Sequence, residues 1–297
     1  MRTPTNIGQE SVIHKNLGLV VVGYESEDVW GSFFDSLRSS SIVPSAIVMV
    51  ENSPVLPNTD SAHDLELTIL HRPDNPGYGT AVNLAFTSLP ANITDVVVCN
   101  PDVTLDSQCL RNLLEAFSTL DRTAIVGPKV LTTKGEIYPS ARAIPGIRIG
   151  IGHAVLEKFW KANPWTKRYL GDYQGIEPRA VGWLSGSFFL VSRKAFEEVG
   201  GFDEGYFMFF EDVDLCFRLK QAGYRSVYVP AASITHLGAH STSAHMRSMV
   251  IAHHKSAEKF LSKLYAGPLY APLRAVLRAG LRVRARLASS AFTKDKN

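Results

Sequence analysis

The sequence predicts an α/β protein, a doubly wound and mostly parallel sheet followed by a C-terminal helical extension. Three observations carry that prediction. Short Val- and Ile-rich runs alternate with helix-length segments through the first half of the chain. Polar, glycine-bearing turns fall where those runs end. Beyond His240 the strand pattern gives way to helix.

Residues 1–16 are polar, lack the apolar centre of a signal peptide and read as an N-terminal extension. Strands are expected at Leu17–Val22, Ala46–Val50, Leu67–Leu70 and Asp95–Cys99, short and apolar enough to be buried on both faces. Helices are expected at Glu27–Arg38, Thr80–Ser88 and Ser107–Thr119, with Thr80 and Ser107 as N-caps. Such alternation builds a doubly wound sheet, whose ligands bind at the carboxyl ends of its strands. Between Gly135 and Arg179 proline and glycine abound, and loops with a short helix near His153–Lys161 should cover the site. Pattern returns with a strand at Ser187–Val191, a turn at Gly200-Gly201, a helix at Val213–Ala222 and a strand at Arg225–Val229. The helical tail breaks near Gly267-Pro268.

At 297 residues the chain can bury a real core, and no apolar run reaches the roughly 18 residues that span a bilayer. Cys99, Cys109 and Cys216 are scattered without metal-ligand spacing and read as reduced, structural thiols of a cytoplasmic protein. The net charge of +3 conceals an asymmetry: residues 245–297 carry 11 of the 31 Lys and Arg but only two of the 28 acids. An acidic-surfaced body with a basic tail suits an anionic partner.

The most informative stretch runs from Trp183 to Asp214. Glu211, Asp212 and Asp214 follow directly on an aromatic run, Tyr206 to Phe210. Acids at a helix start are favoured by capping and by the helix dipole, which accounts for the acids but not for the aromatics. Acids against apolar surface need partners or a chemical task, and a general base is such a task. Three strand ends deliver further polar groups to one edge. Glu51-Asn52-Ser53 ends the second strand, Asn75 to Thr80 follows the third and leads into a helix containing Asn83, and Asn100-Pro101-Asp102 ends the fourth. Glu51 could accept hydrogen bonds from a base or ribose. Gly77 and Gly79 permit close backbone approach with an anion at the helix start beyond. Asp102 could share a divalent metal with a diphosphate.

In this combination the chain resembles the inverting family 2 glycosyltransferases of GT-A, Rossmann-like fold, in particular their rhamnosyltransferase-like branch. The resemblance spans Leu17 to Ser241 and rests on Gly23-Tyr24-Glu25-Ser26, Glu51, Asn75-Pro76-Gly77-Tyr78-Gly79 with Asn83, Asn100-Pro101-Asp102, Trp183-Leu184-Ser185-Gly186, Glu211-Asp212 and His236 to Ser241. It implies one domain over 17–244, with a nucleotide half at about 17–130 and a donor/acceptor half at about 131–244. It implies Asp212 as catalytic base with Glu211 beside the acceptor, and donor contacts from Glu51, Asn75, Gly77, Tyr78, Gly79, Asn83, Asn100, Asp102, Trp183 and Gly186. Mn2+ or Mg2+ would be held by Asp102 with His236. Asp214 is then a helix cap, Trp183 fits either a sugar-stacking or a core role, and His236 fits either a ligand or a structural role. Two departures from the family pattern stand out: Glu51 replaces the usual Asp, and Asn100 replaces the first acid of Asp-x-Asp, which puts strict metal dependence in question.

The resemblance implies transfer of a sugar, L-rhamnose from dTDP-rhamnose, onto a cell-envelope glycan or lipid-linked acceptor. Other readings are a UDP-hexose donor or a nucleotide-sugar-binding module without catalysis. A dinucleotide oxidoreductase would need Gly-x-Gly-x-x-Gly after the first strand, where Gly23-Tyr24-Glu25-Ser26 stands instead. In the tail, Arg274, Arg278, Arg282 and Arg286 recur every four residues beside Leu273, Leu277 and Leu281. That pattern over 269–287 fits an amphipathic helix on the inner face of the cytoplasmic membrane, and equally a helix packed on the body with its arginines in water. No nucleic-acid-binding motif is present, so no nucleic-acid partner is expected.

Overall fold

The computed structural model describes residues 11–62, 64–146, 169, 173, 175–238 and 246–294. The expected short helix at 153–161 lies outside them. The chain begins with β1 (Val12–Gly23), α1 (Glu27–Arg38), β2 (Ile42–Glu51), β3 (Leu67–His71), α2 (Tyr78–Ser88) and β4 (Asp95–Cys99). Short β5 (Val103–Leu105), α3 (Cys109–Thr119) and β6 (Thr123–Leu131) follow, then four two- or three-residue strands: β7 (Ile137–Tyr138), β8 (Ala141–Arg142), β9 (Arg179–Val181) and β10 (Trp183–Leu184). The last elements are β11 (Phe188–Ser192), α4 (Arg193–Glu198), α5 (Glu211–Gln221), β12 (Arg225–His236), α6 (Met246–Leu264) and α7 (Ala271–Lys294).

The main sheet runs in the order β3-β2-β1-β4-β11-β6-β12-β5, with β7 on β6 and β9 on β12. Strands β1 to β4 pair in parallel, so Gly23, Glu51, His71 and Cys99 end at one edge. β11 enters antiparallel between β4 and β6, which makes the sheet mixed. β1 starts at Val12 rather than Leu17, because residues 12–14 already pair with Ile42–Pro44 of β2.

Alternation along β1 places Val20 and Val22 in one core layer and Leu17, Leu19 and Val21 in the other. Helices α1 and α3 cover the second layer. On α1, Trp30, Phe33, Phe34 and Leu37 are fully buried at helical spacing. Each contributes about 1.5–3 kcal/mol by leaving water. The first layer is covered by α2, α5 and Phe260 of α6. Cys99, Cys109 and Cys216 are free and buried in these layers, and burial pushes all three thiols up, Cys216 to about 12.

Neither expected N-cap serves. Gly77 precedes α2, so Thr80 sits inside the helix. Before α3, Asp106 takes the capping role through its backbone carbonyl to Cys109 N–H and its carboxylate to Gln108 N–H, leaving Ser107 outside.

The tail folds as a helical hairpin, α6 against α7, with Leu261, Leu277 and Leu281 meeting between them. Three of the recurring arginines reach back to α6 or to the turn before α7. Arg278 and Arg282 pair with Glu258, and Arg274 donates to the Tyr265 and Gly267 carbonyls. Leu269, just before α7, and Val276 and Val283 on it are all more than half exposed. The helix thus packs on α6 while an aliphatic strip with Arg284 beside it stays exposed. Among the described residues no helix is long and apolar enough to cross a bilayer.

Candidate active site

The acid pair opens α5. Phe209 and Phe210 before it both adopt left-handed backbone, φ 66° and 67°. That conformation is unfavourable for a residue with a Cβ and costs on the order of 1 kcal/mol or more each. Two left-handed residues turn the chain sharply, so that α5 starts at Glu211 rather than Val213. Glu211 and Asp214 are buried, and Asp212 is half-buried between them.

Asp212 accepts a 2.9 Å hydrogen bond from Gly186 N–H on one carboxylate oxygen and a 2.8 Å bond from Val213 N–H on the other. Gly186 in turn accepts from the Tyr78 hydroxyl at 2.6 Å. This chain of bonds joins α2, the β10–β11 turn and α5 at one point, and it brings together three of the residues singled out from sequence. Burial raises the Asp212 carboxyl, while the two N–H donors and the Arg142 charge pull it back. Glu211 is pushed further up, first by burial and then by Asp212 beside it, and one of its oxygens is buried with no hydrogen-bond partner. Two like charges on adjacent residues do not both ionise easily, and burial raises Glu211 the further of the two.

A carboxyl whose folded pKa lies above its unfolded value binds its proton more tightly in the fold. The pair's stabilisation is therefore full below the ordinary carboxylate range and is lost as pH rises through the raised values. Glu211→Gln is expected to flatten the fall in melting temperature between about pH 5 and 8. Melts of the two proteins across that window check it.

Asp214 is no cap. It is fully buried, accepts from Arg218 and Lys263 at 2.7 Å each, and has the Tyr206 hydroxyl at 3.4 Å. A helix turn puts residues two apart on opposite sides, so Asp212 and Asp214 cannot share a role.

The glycine turn after β3 also differs from expectation. A Cβ on Gly77 (φ 95°) would lie 2.3 Å from the Phe207 carbonyl, and one on Gly79 would lie 2.9 Å from Phe202. The close approach is made by the chain itself. Tyr78 N–H donates to the Phe207 carbonyl, so one N–H of this helix start is taken by the chain itself. Asn75 supplies a left-handed turn residue, φ 42°. Asn83 spends its amide on Phe202 N–H, Phe202 C=O and Glu204. Gly77, Tyr78 and Asn83 hold the aromatic loop against α2.

Glu51 is fully buried and accepts from the Ser53 backbone and hydroxyl, and burial raises its carboxyl. A cleft of about 910 Å³ opens over Ser26, Ser53 and residues 54–58, and Glu51 lies outside its lining. The longer side chain thus braces Ser53 instead of entering the cleft. Asn100 N–H donates to the Ser187 carbonyl, which ties β4 to the turn before β11. Trp183 belongs to the core: its indole N–H donates to the Ala143 carbonyl and Arg142 covers its ring at 5.3 Å.

Asp102 and His236 come together as expected, with Oδ1 and Nε2 3.1 Å apart. The pairing of β5 with β12, Val103 opposite His236, creates that contact. One carboxylate and one imidazole fit a divalent ion that completes its shell from a diphosphate. Among the described residues no group of three or more His, Cys, Asp or Glu is poised for a metal.

The sequence pattern described as "Glycosyltransferase like family 2" matches residues 14–250. The chain belongs to this family. A family 2 relative, the N-acetylglucosaminyl-diphospho-decaprenol L-rhamnosyltransferase of Mycobacterium tuberculosis (strain ATCC 25618 / H37Rv), is 40% identical over 91% of this chain and 92% of its own. A rhamnosyltransferase of Escherichia coli (strain K12) is 43% identical over 28% of this chain and 31% of its own. Among solved structures, a mannosyltransferase from Pyrobaculum calidifontis in complex with GDP-Man and Mn2+ superposes with a TM-score of 0.55 at 16% identity, covering 93% of this chain and 73% of that one. GalNAc-T7 with UDP, GalNAc and Mn2+ gives 0.53 at 16% identity, over 74% and 43%. At such identity these two establish the fold alone, and that fold is GT-A.

This family 2 glycosyltransferase is thus an enzyme of the hexosyl and deoxyhexosyl transferase class, with the mixed, mostly parallel sheet of its relatives. Sequence reasoning missed one member of its site. Arg142 sits among the rings of Tyr138, Tyr169 and Trp183 at 5.3–5.7 Å and lends positive potential to Asp212. It lies in the Pro- and Gly-rich stretch, where no periodicity marks it out.

Proposed function

We propose that this glycosyltransferase moves L-rhamnose from dTDP-rhamnose, with inversion, onto a polyprenyl-diphosphate-linked glycan of the cell envelope. The observation that carries the proposal is the 40% identity to the mycobacterial rhamnosyltransferase, which extends over nine-tenths of both chains. The acceptor hydroxyl gives up its proton to Asp212 as its oxygen attacks the anomeric carbon. The sugar–phosphate bond breaks on the opposite face and its electron pair leaves with the nucleoside diphosphate. The Gly186 and Val213 N–H groups fix the direction of the accepting oxygens. Glu211, held protonated, is a hydrogen-bond donor toward the acceptor. Arg142 stabilises the Asp212 carboxylate until transfer.

Asp102 and His236 would hold Mn2+ or Mg2+, which supplies Lewis-acid stabilisation of the departing diphosphate. The nucleobase is assigned to the cleft over Ser53. The exposed Leu269–Val276–Val283 stripe, with a basic tail around it, suits peripheral contact with the anionic inner leaflet. In this reading the protein works on the cytoplasmic side.

The test is a thermal-shift panel of nucleotide sugars with and without Mn2+. A dTDP-sugar present at 100 times its Kd stabilises by about 2.7 kcal/mol. Stabilisation by dTDP-rhamnose over UDP-hexoses, enhanced by Mn2+, is expected, and an equal response to all donors sinks the rhamnose assignment.

A further inference from the structure

The basic C-terminal segment reads from sequence as an appendage to the catalytic domain. Its first helix is keyed into the loop that carries the reacting acids. The Ser256 hydroxyl donates to the Met208 carbonyl at 2.8 Å and is itself buried. The His253 ring packs on both left-handed residues, 5.4 Å from the centre of Phe209 and 5.4 Å from that of Phe210. Phe260, fully buried, lies 5.7 Å from Phe210 and 5.8 Å from Phe217 of α5. One turn further, the Lys263 ammonium bridges Asp203, at the start of the loop, and Asp214, at the start of α5. Lys259 reinforces the Asp203 end at 2.7 Å, with its ammonium 4.5 Å above the Tyr206 ring.

These contacts share one geometry. The loop from Asp203 to Phe210 is gripped at its start, over its strained last residues and at the helix it enters, all from a single face of α6. On the other side Tyr78 N–H donates to the Phe207 carbonyl and the Asn83 amide to Glu204. Backbone held in the left-handed region by residues with side chains persists only where surrounding contacts over-determine it. Here α6 supplies those contacts, and the two residues it holds lead straight into Glu211 and Asp212.

We infer that α6 is part of the catalytic apparatus: Ser256, His253 and Lys263 are positioning residues that hold Phe209-Phe210 left-handed and thereby aim Asp212. The inference rests on the reading of Glu211 and Asp212 as the reacting acids. A misplacement of the base by about 1 Å can cost a hundredfold in rate without touching donor contacts. The helix thus acts on turnover and not on donor affinity.

The test compares the full chain with Ser256→Ala, Lys263→Met and Lys263→Arg, using dTDP-rhamnose and a polyprenyl-diphosphate N-acetylglucosamine acceptor. Ser256→Ala and Lys263→Met are expected to lower kcat about ten- to hundredfold with the donor KM within about twofold, and Lys263→Arg to restore most of it. Hydrogen exchange gives a readout free of substrate. Peptides over 207–214, which include the Asp214 N–H bonded to the Phe210 carbonyl, should exchange about tenfold faster in the first two variants while the central strands keep their protection. Wild-type exchange over 207–214, or faster exchange with full turnover, overturns the inference. Asp212→Asn run alongside separates the two readings. If it stays active the base assignment fails, whereas the α6 variants judge the positioning role by themselves.

Discussion

Asp212→Asn is expected to lower turnover on the order of 10²–10⁴-fold while the donor still binds, as measured by product formation and by the donor-induced rise in melting temperature. Asparagine keeps the shape of the side chain, and its amide oxygen can still accept from Gly186 N–H at the present 2.9 Å. What it loses is the basic oxygen. The amide nitrogen faces the Val213 N–H and loses that bond, while the neutral group relieves a carboxyl that burial disfavours, so the melting temperature near neutral pH should stay within a few degrees of the parent. A loss of activity accompanied by lost stability would mean a structural residue. Full turnover would move the base to Glu211 or out of this loop.

Asp214→Ala should have the largest effect on stability, about 3 kcal/mol, because it removes the buried carboxylate that Arg218 and Lys263 share, leaving them Val199 C=O and Asp203, and frees the Tyr206 hydroxyl. Both cations keep some access to water, which holds the loss at the low end for broken buried pairs. In a chain of this size it corresponds to a fall in melting temperature of roughly 6–10 °C. Asp214→Asn should recover part of the loss through the retained hydrogen bonds. Calorimetry on the two variants decides it, and a melting temperature within about a degree of the parent for Asp214→Ala would overturn the anchoring role.

Much of this molecule is written plainly in its sequence. Strands β1 to β4 are legible because a strand covered on both faces is almost wholly apolar, and α1 because Trp30, Phe33, Phe34 and Leu37 repeat at helical spacing. Asp102 is legible as a polar residue at a strand end and His236 through the family resemblance, although only the pairing of β5 with β12 makes them neighbours. Side-chain partners across long sequence separations were hidden. Asp214 has the local signature of a helix cap, and nothing near it announces Lys263, 49 residues on. Gly77 and Gly79 have the signature of a ligand turn, and they also make room for the Phe207 backbone and the Phe202 side chain, more than 120 positions away. The arginine spacing of α7 identifies a face correctly but not what that face meets, because Glu258 lies on the preceding helix.

The first turn of α5 places three carboxylates, and they have opposite consequences. Glu211 and Asp212 are held against their own solvation, whereas Asp214 is satisfied by its cations. A variant library sorted only for heat resistance would therefore drift toward neutral residues at 211 and 212 and retain Asp214, yielding a sturdier protein that transfers nothing. Engineering of this scaffold has to score turnover and melting together, because at this one turn they select in opposite directions.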